Sequence, residues 1–204
     1  MDPVISVLLA EDERLIRESL AALLALETDL EVVAQAATGT EAISAARDHR
    51  PDVAVLDLQM PEADGITAAR TITARDSGCR TLIVTSHGLP GHLKRALEAG
   101  VKGFVPKTVS AAQLATVIRT VHTGNRYIDP SLAADAIAAG DSPLSAREAD
   151  ILALAADGAT VSEIAHRATL APGTVRNYLS QAVAKLGAAN RHSAAHIARL
   201  RGWI

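Results

Sequence analysis

The 204-residue sequence predicts two successive architectures. The first is a doubly wound, five-stranded parallel α/β sheet over residues 1–124, and the second an all-α, four-helix domain over residues 144–204. Three observations carry this. Short apolar runs alternate with amphipathic stretches of helical period through residue 124, the pattern of a parallel sheet covered by helices. Val53-Ala54-Val55-Leu56 is apolar at every position, as expected of a strand buried on both faces. From Leu144 onward no strand pattern remains.

Ile5 to Leu9 reads as the first strand, followed by a helix over 13–27. Glu31 to Ala36 reads as the second, and Thr38 with Glu41 has the capping-box spacing that opens a helix to about Arg50. The third strand, 53–56, leads to a helix near 64–75. Thr81 to Thr85 is the fourth, with a helix near 90–99 ending at Gly100. Lys102 to Pro106 is the fifth, and a helix over 110–123 closes at Gly124. Residues 125–143 carry turn signals (Gly124-Asn125, Asp129-Pro130, Gly140-Asp141-Ser142-Pro143) and read as a linker with one short helix at 131–139. Two further capping boxes, Ser145 with Glu148 and Thr160 with Glu163, open helices to about Ala156 and Ala168. Residues 172–186 and about 190–201 supply the last two.

Composition narrows the classes. Hydrophobic content of 49% and charged content of 21% favour a packed core over global disorder. Aromatics are 2%, only Phe104, Tyr127, Tyr178 and Trp203, so the core must be aliphatic. No apolar stretch reaches the roughly 18 residues of a membrane span, and the N-terminus lacks the basic start of a signal peptide. Cytoplasm is the expected location, with no membrane partner. Cys79 is the single cysteine, which excludes an internal disulfide and any cysteine-rich metal site. The net charge of −3 is uneven: −4 over residues 1–124, −2 over 125–143 and +3 over 144–204. An acidic front and a mildly basic back suggest separate tasks, with any polyanion bound at the back.

In doubly wound sheets, sites lie at the carboxyl ends of strands where the strand order switches. Glu11 and Asp12 follow the first strand, and Asp57 the third. If those strands are neighbours the carboxylates converge and call for a cation. Hard oxygen donors, completed by the backbone carbonyl of Gln59 and water, suit Mg²⁺. Thr85 ends the fourth strand with a hydroxyl, and Lys107 follows the fifth with a compact positive charge. Together these groups can place a phosphoryl group on Asp57 as an acyl phosphate, with Lys107 and Mg²⁺ offsetting the charge on the transferred oxygens. Taken singly, each residue has a structural alternative. Asp12, for example, could simply start a helix.

Glu11-Asp12, Asp57 with Met60-Pro61 and Asp64-Gly65, Thr85-Ser86 and Gly103-Phe104-Val105-Pro106-Lys107 resemble, in order and spacing, the flavodoxin-like receiver domains of two-component response regulators. The resemblance covers about residues 4–124. It implies that a sensor histidine kinase donates the phosphoryl group, that Asp57 accepts it, and that Thr85 and Phe104 move as a switch. Two departures stand out. Glu11 occupies a position where aspartate is commonest, and Thr108 follows Lys107 where many receivers have proline. Pro106 cannot donate to a sheet ladder and is expected to end its strand.

In the helical tail, the turn Ala168-Thr169-Leu170-Ala171 makes a helix-turn-helix whose second helix can enter a major groove. Val175, Leu179, Val183 and Leu186 recur at core spacing. Thr174, Arg176, Asn177, Tyr178, Ser180, Gln181 and Lys185 lie elsewhere on that helix, and arginine suits guanine as asparagine or glutamine suits adenine. On charge alone, a bundle with an ordinary solvated face is the better fit to a net of +3. Leu144-Ser145-Ala146-Arg147-Glu148, Gly158, Glu163-Ile164-Ala165, Thr174-Val175-Arg176-Asn177-Tyr178 and Lys185-Leu186-Gly187 resemble the DNA-binding domain of the LuxR/NarL/FixJ family. That resemblance implies base-facing roles for Arg176, Asn177 and Ser180 and phosphate contacts for Thr174 and Lys185. The stretch 173–178, with Ala10-Glu11-Asp12 and the closing Gly202-Trp203, looks like the DesR type of regulator, which controls membrane-lipid desaturase genes.

The reading is therefore a transcription regulator rather than an enzyme: phosphorylation promotes homodimerisation, which sets two helices on successive half-sites of double-stranded DNA. Alternatively, the acidic front could mask the basic tail until phosphorylated. Two rivals remain. A small Mg²⁺-dependent phosphohydrolase would need a second acid two residues after Asp57, where Gln59 stands. A receiver with a protein-binding tail would share the first half of the argument.

Overall fold

The computed structural model describes residues 4–75, 78–86, 88–140 and 142–204. His87 and Asp141, the latter in the expected linker turn, lie outside the described residues. The elements run β1 (Ile5–Ala10), α1 (Arg14–Leu24), β2 (Leu30–Ala36), α2 (Gly39–His49), β3 (Val53–Asp57), α3 (Gly65–Ala74), β4 (Arg80–Thr85), α4 (Pro90–Glu98), β5 (Gly103–Pro106), α5 (Ala111–His122), β6 (Tyr127–Ile128) and α6 (Pro130–Ala139). Four helices follow: α7 (Ala146–Ala156), α8 (Val161–Ala168), α9 (Pro172–Lys185) and α10 (Arg191–Arg201).

Among the described residues the strands form one parallel sheet in the order β2-β1-β3-β4-β5-β6. The order reverses direction between β1 and β3, which makes their carboxyl ends the switch point. The expected five strands are thus six. The sixth comes from the segment read as linker: the Tyr127 N–H donates to the Lys102 carbonyl and the Asp129 N–H to that of Phe104, both at 2.9 Å. Two residues are too few to show an alternating pattern. They extend only because β5 offers an open edge whose carbonyls need donors.

The core is aliphatic, as the composition requires. On one face Val7, Leu9, Val53, Val55, Leu82, Val84 and Val105 pack beneath α1 and α5 with Leu24, Leu114 and Ile118. Each such side chain contributes about 1.5–3 kcal/mol by leaving water. Phe104 is fully buried. Strand β5 ends at Pro106, as expected of a residue that cannot donate to the ladder.

Two helix ends differ from the periodicity. Helix α1 stops at Leu24, short of 27, because Glu27 and Asp29 turn aside to the Arg119 guanidinium on α5, each at 2.6 Å. At α2, Thr38 accepts from the Glu41 N–H, but Glu41 reaches past Thr38 to the Ala37 N–H, so the box is displaced by one residue. The boxes at Ser145 and Thr160 are complete.

By its contacts the chain forms two compact units that divide near residue 133. In the second, α7–α10 enclose their own core of Ile151, Leu152, Ile164, Val175, Leu179, Ala182 and Ala198. No described helix is long and apolar enough to cross a membrane.

Candidate functional site

Strands β1 and β3 pair in parallel, with Ala10 opposite Leu56, so Glu11 and Asp57 leave the sheet side by side. Carboxylate oxygens of Glu11, Asp12 and Asp57 lie within 4.8 Å of one another. Glu11 and Asp57 are buried and Asp12 is exposed. Lys107, just beyond β5, brings its Nζ to 2.7 Å from Glu11 Oε2 and 3.2 Å from Asp57 Oδ2. Its backbone N–H donates to the Thr85 carbonyl at 2.8 Å. Thr85 is one step beyond Val84, the register partner of Asp57. It is buried and shares a sheet face with Phe104, because Ile83, two residues before it, pairs with Phe104. The residues expected at the strand ends are therefore brought together.

The loop after Asp57 is shaped by one glycine. The Gly65 N–H donates to the Leu58 carbonyl at 3.0 Å, and a Cβ at Gly65 would collide with the Asp57 backbone carbonyl. Asp64 caps α3 by accepting from the Thr67 N–H at 2.7 Å. The Asp64-Gly65 pair thus starts α3 directly against the residue that ends β3.

Electrostatics follow from burial and convergence. Burial pushes the Asp57 carboxyl up, while Lys107 and the backbone N–H groups of Gln59 and Leu58 pull partly the other way. Glu11 is raised as well, by burial and by the nearby Asp57 charge, against the Lys107 hydrogen bond. Burial alone would lower the Lys107 ammonium, but its bond to Glu11 and the charge of Asp57 outweigh that and raise it. One amine thus bridges two of three converging carboxylates, a donor set of hard oxygens with an excess of negative charge. Such a set fits a divalent oxygen-loving cation such as Mg²⁺.

In the second unit, α8 and α9 form the helix-turn-helix, joined through Thr169 in a left-handed conformation (φ 55°). Pro172 opens α9, where its missing N–H costs nothing. Val175, Leu179 and Ala182 are buried, while Thr174, Arg176, Asn177, Ser180, Gln181 and Lys185 are exposed. One partner was not visible in the sequence. Lys185 donates to Glu148 Oε2 at 2.7 Å, and the same carboxylate oxygen accepts from the Ser145 N–H. Glu148 is buried, so its role exceeds helix capping. The signal available was a capping glutamate placed next to core positions, which needs a counter-charge when the helix packs.

An acidic cluster at the switch point of a doubly wound sheet, followed by a helix-turn-helix, defines a class: regulators of transcription, as opposed to enzymes that turn over a free substrate. Within that class, the chain belongs to the two-component response regulators of the LuxR family. Residues 7–119 match the model described as "Response regulator receiver domain", and residues 142–198 that described as "Bacterial regulatory proteins, luxR family". Over 201 residues (98% of this chain, 100% of theirs) it is 38% identical to each of two Bacillus subtilis proteins, the transcriptional regulatory protein DesR and the uncharacterized transcriptional regulatory protein YvfU. The crystal structure of the response regulator ChrA, from a heme-sensing two-component system, superposes with a TM-score of 0.59 at 31% identity, covering 98% of this chain and 99% of that one.

Proposed function

We propose that Asp57 is the phosphoacceptor, that a sensor histidine kinase is its donor, and that phosphorylation promotes dimerisation and binding of double-stranded DNA through α9. The observation that carries this is the convergence of Glu11, Asp12 and Asp57, the first and last of them bonded to Lys107. In the step itself an Asp57 oxygen attacks the phosphorus of the kinase's phosphohistidine. The P–N bond breaks, the imidazole leaves with the electron pair, and an acyl phosphate remains. Lys107 neutralises negative charge on the phosphoryl oxygens, and the Thr85 hydroxyl turns to hydrogen-bond one of them; Phe104, expected to move inward, is already fully buried, so its part in the switch is to repack behind Thr85. Glu11, Asp12 and Asp57 with the Gln59 carbonyl would hold Mg²⁺, which when bound offsets the charge gathered on the transferred group.

Arg176, Asn177 and Ser180 read base edges, and Thr174 contacts phosphate. Lys185 gives one of its three donors to Glu148 and, being half-exposed, can add a phosphate contact with another. The cytoplasm is the compartment this function requires. Percentage identity does not single out desaturase genes as targets, since two differently named relatives share the same 38%. Incubation with acetyl phosphate and Mg²⁺, followed by mass mapping and by selection of bound DNA fragments, tests the proposal. It fails if Asp57 carries no phosphoryl group, or if no duplex is retained.

A further inference from the structure

The short strand β6 and the start of α6 are held by β5, which carries Phe104, and by Gly88, three residues after Thr85. Ile128 pairs with Phe104, and the Phe104 carbonyl accepts the Asp129 N–H at 2.9 Å. Asp129 then caps α6, its Oδ1 accepting from the Ser131 N–H at 3.0 Å and from the Ser131 hydroxyl. The next residue, Leu132, is the buried side chain of α6, whereas Ile137 is 81% exposed. Leu132 packs on Gly88, three residues after Thr85. A Cβ on Gly88 would overlap the Leu132 side chain, reaching 2.9 Å from Cδ1 and 3.1 Å from Cγ. The first turn of α6 is thus fastened on one side to the peptide of Phe104 and on the other to Gly88.

We propose that Leu132 is a positioning residue: its packing restrains Gly88 in the unphosphorylated arrangement, and phosphorylation loosens α6. This rests on the reading of Asp57 as phosphoacceptor. Closely packed contacts change between discrete arrangements rather than deforming smoothly. A shift of Thr85 or Phe104 therefore alters the seat of Leu132. Linkage makes the effect reciprocal, so unseating Leu132 favours the arrangement that phosphorylation favours.

The test uses the full chain with acetyl phosphate and Mg²⁺, following amide hydrogen exchange over residues 130–139 and phosphoryl uptake by intact mass. In the parent protein, phosphorylation should raise exchange in this segment by about fivefold or more. Leu132→Ala should show that raised exchange before phosphorylation and should take up the phosphoryl group faster. Gly88→Ala, which crowds the seat without emptying it, should act the same way. The double variant, in which the added methyl occupies part of the vacated space, should move back toward the parent, a coupling that global unfolding does not produce. Unchanged exchange over 130–139 while Asp57 is modified overturns this inference alone, as do single variants that take up phosphoryl at the parent rate. Absence of any Asp57 modification overturns the phosphoacceptor reading and this inference with it.

Discussion

Lys185, in the last turn of α9, bonds at 2.7 Å to Glu148, in the first turn of α7, across 37 positions of the chain. The pair ties α9 to α7, the helix that opens the domain, and it gives a buried carboxylate its counter-charge. Lys185→Ala should therefore lower the stability of the helical unit by about 1–2 kcal/mol, below the cost of breaking a fully buried pair because the ammonium is half-exposed. Urea unfolding followed by the fluorescence of Trp203, which packs against this core, measures it.

The same pair has a pH signature. The Lys185 ammonium, then the Ser145 N–H, hold the Glu148 carboxyl below its ordinary 4.5. The folded unit therefore binds that proton less readily than the unfolded chain. Its contribution is complete above about pH 4.5 and is lost as pH falls through the depressed folded value. In Lys185→Ala this acid-side loss should shrink. A difference between the two proteins that stays constant down through the acid range counts against the assignment.

Asp57→Asn should accept no phosphoryl group from acetyl phosphate, as read by intact mass, while remaining folded. Without divalent cations it should melt at the same temperature as the parent or higher, since it removes one of three converging carboxylates. Normal labelling of the variant would refute the site.

Withdrawing Mg²⁺ with a chelator should stop labelling of the parent protein, and Asp12→Asn should raise the Mg²⁺ concentration needed to restore it. Asp12 is the exposed member of the cluster, so this substitution should leave the melting temperature nearly unchanged. Labelling that proceeds in chelator would exclude the metal role.

Arg176→Ala should cost about 1–3 kcal/mol at its cognate base pair and relax selection there, whereas Thr174→Ala should weaken all sequences alike. Fragment selection from random DNA separates the two patterns. Equal effects across every position for Arg176→Ala would assign it to phosphate instead.

Thr169, β-branched, sits at φ 55° between α8 and α9. Glycine carries no Cβ penalty there, so Thr169→Gly should stabilise the helical unit by up to about 1 kcal/mol in the same urea measurement.

Most of the architecture was legible because its signals are local. Val53–Leu56 announces a doubly buried strand by composition alone, and Ser145–Glu148 and Thr160–Glu163 announce helix starts by spacing. That the strand-end residues would lie together was legible for a related reason: strand ends in a parallel sheet fall on one edge, so residues at the ends of β1, β3, β4 and β5 converge once the topology is granted. What escaped depends on partners distant in sequence. Strand β6 exists because β5 has an open edge. Helix α1 ends early because Arg119, some ninety residues on, draws Glu27 and Asp29 aside.

The order of residues by itself determined the alternation of strands and helices, the buried faces and the chemical kinds of group at each strand end, since these follow from backbone preference and hydrophobic period. Only the tertiary structure decided which charges meet: Lys107 shared between Glu11 and Asp57, Lys185 given to Glu148, Leu132 seated on Gly88. Such pairings are set by how whole elements pack, and a sequence window records the reach of a side chain but not which partner packing brings within it.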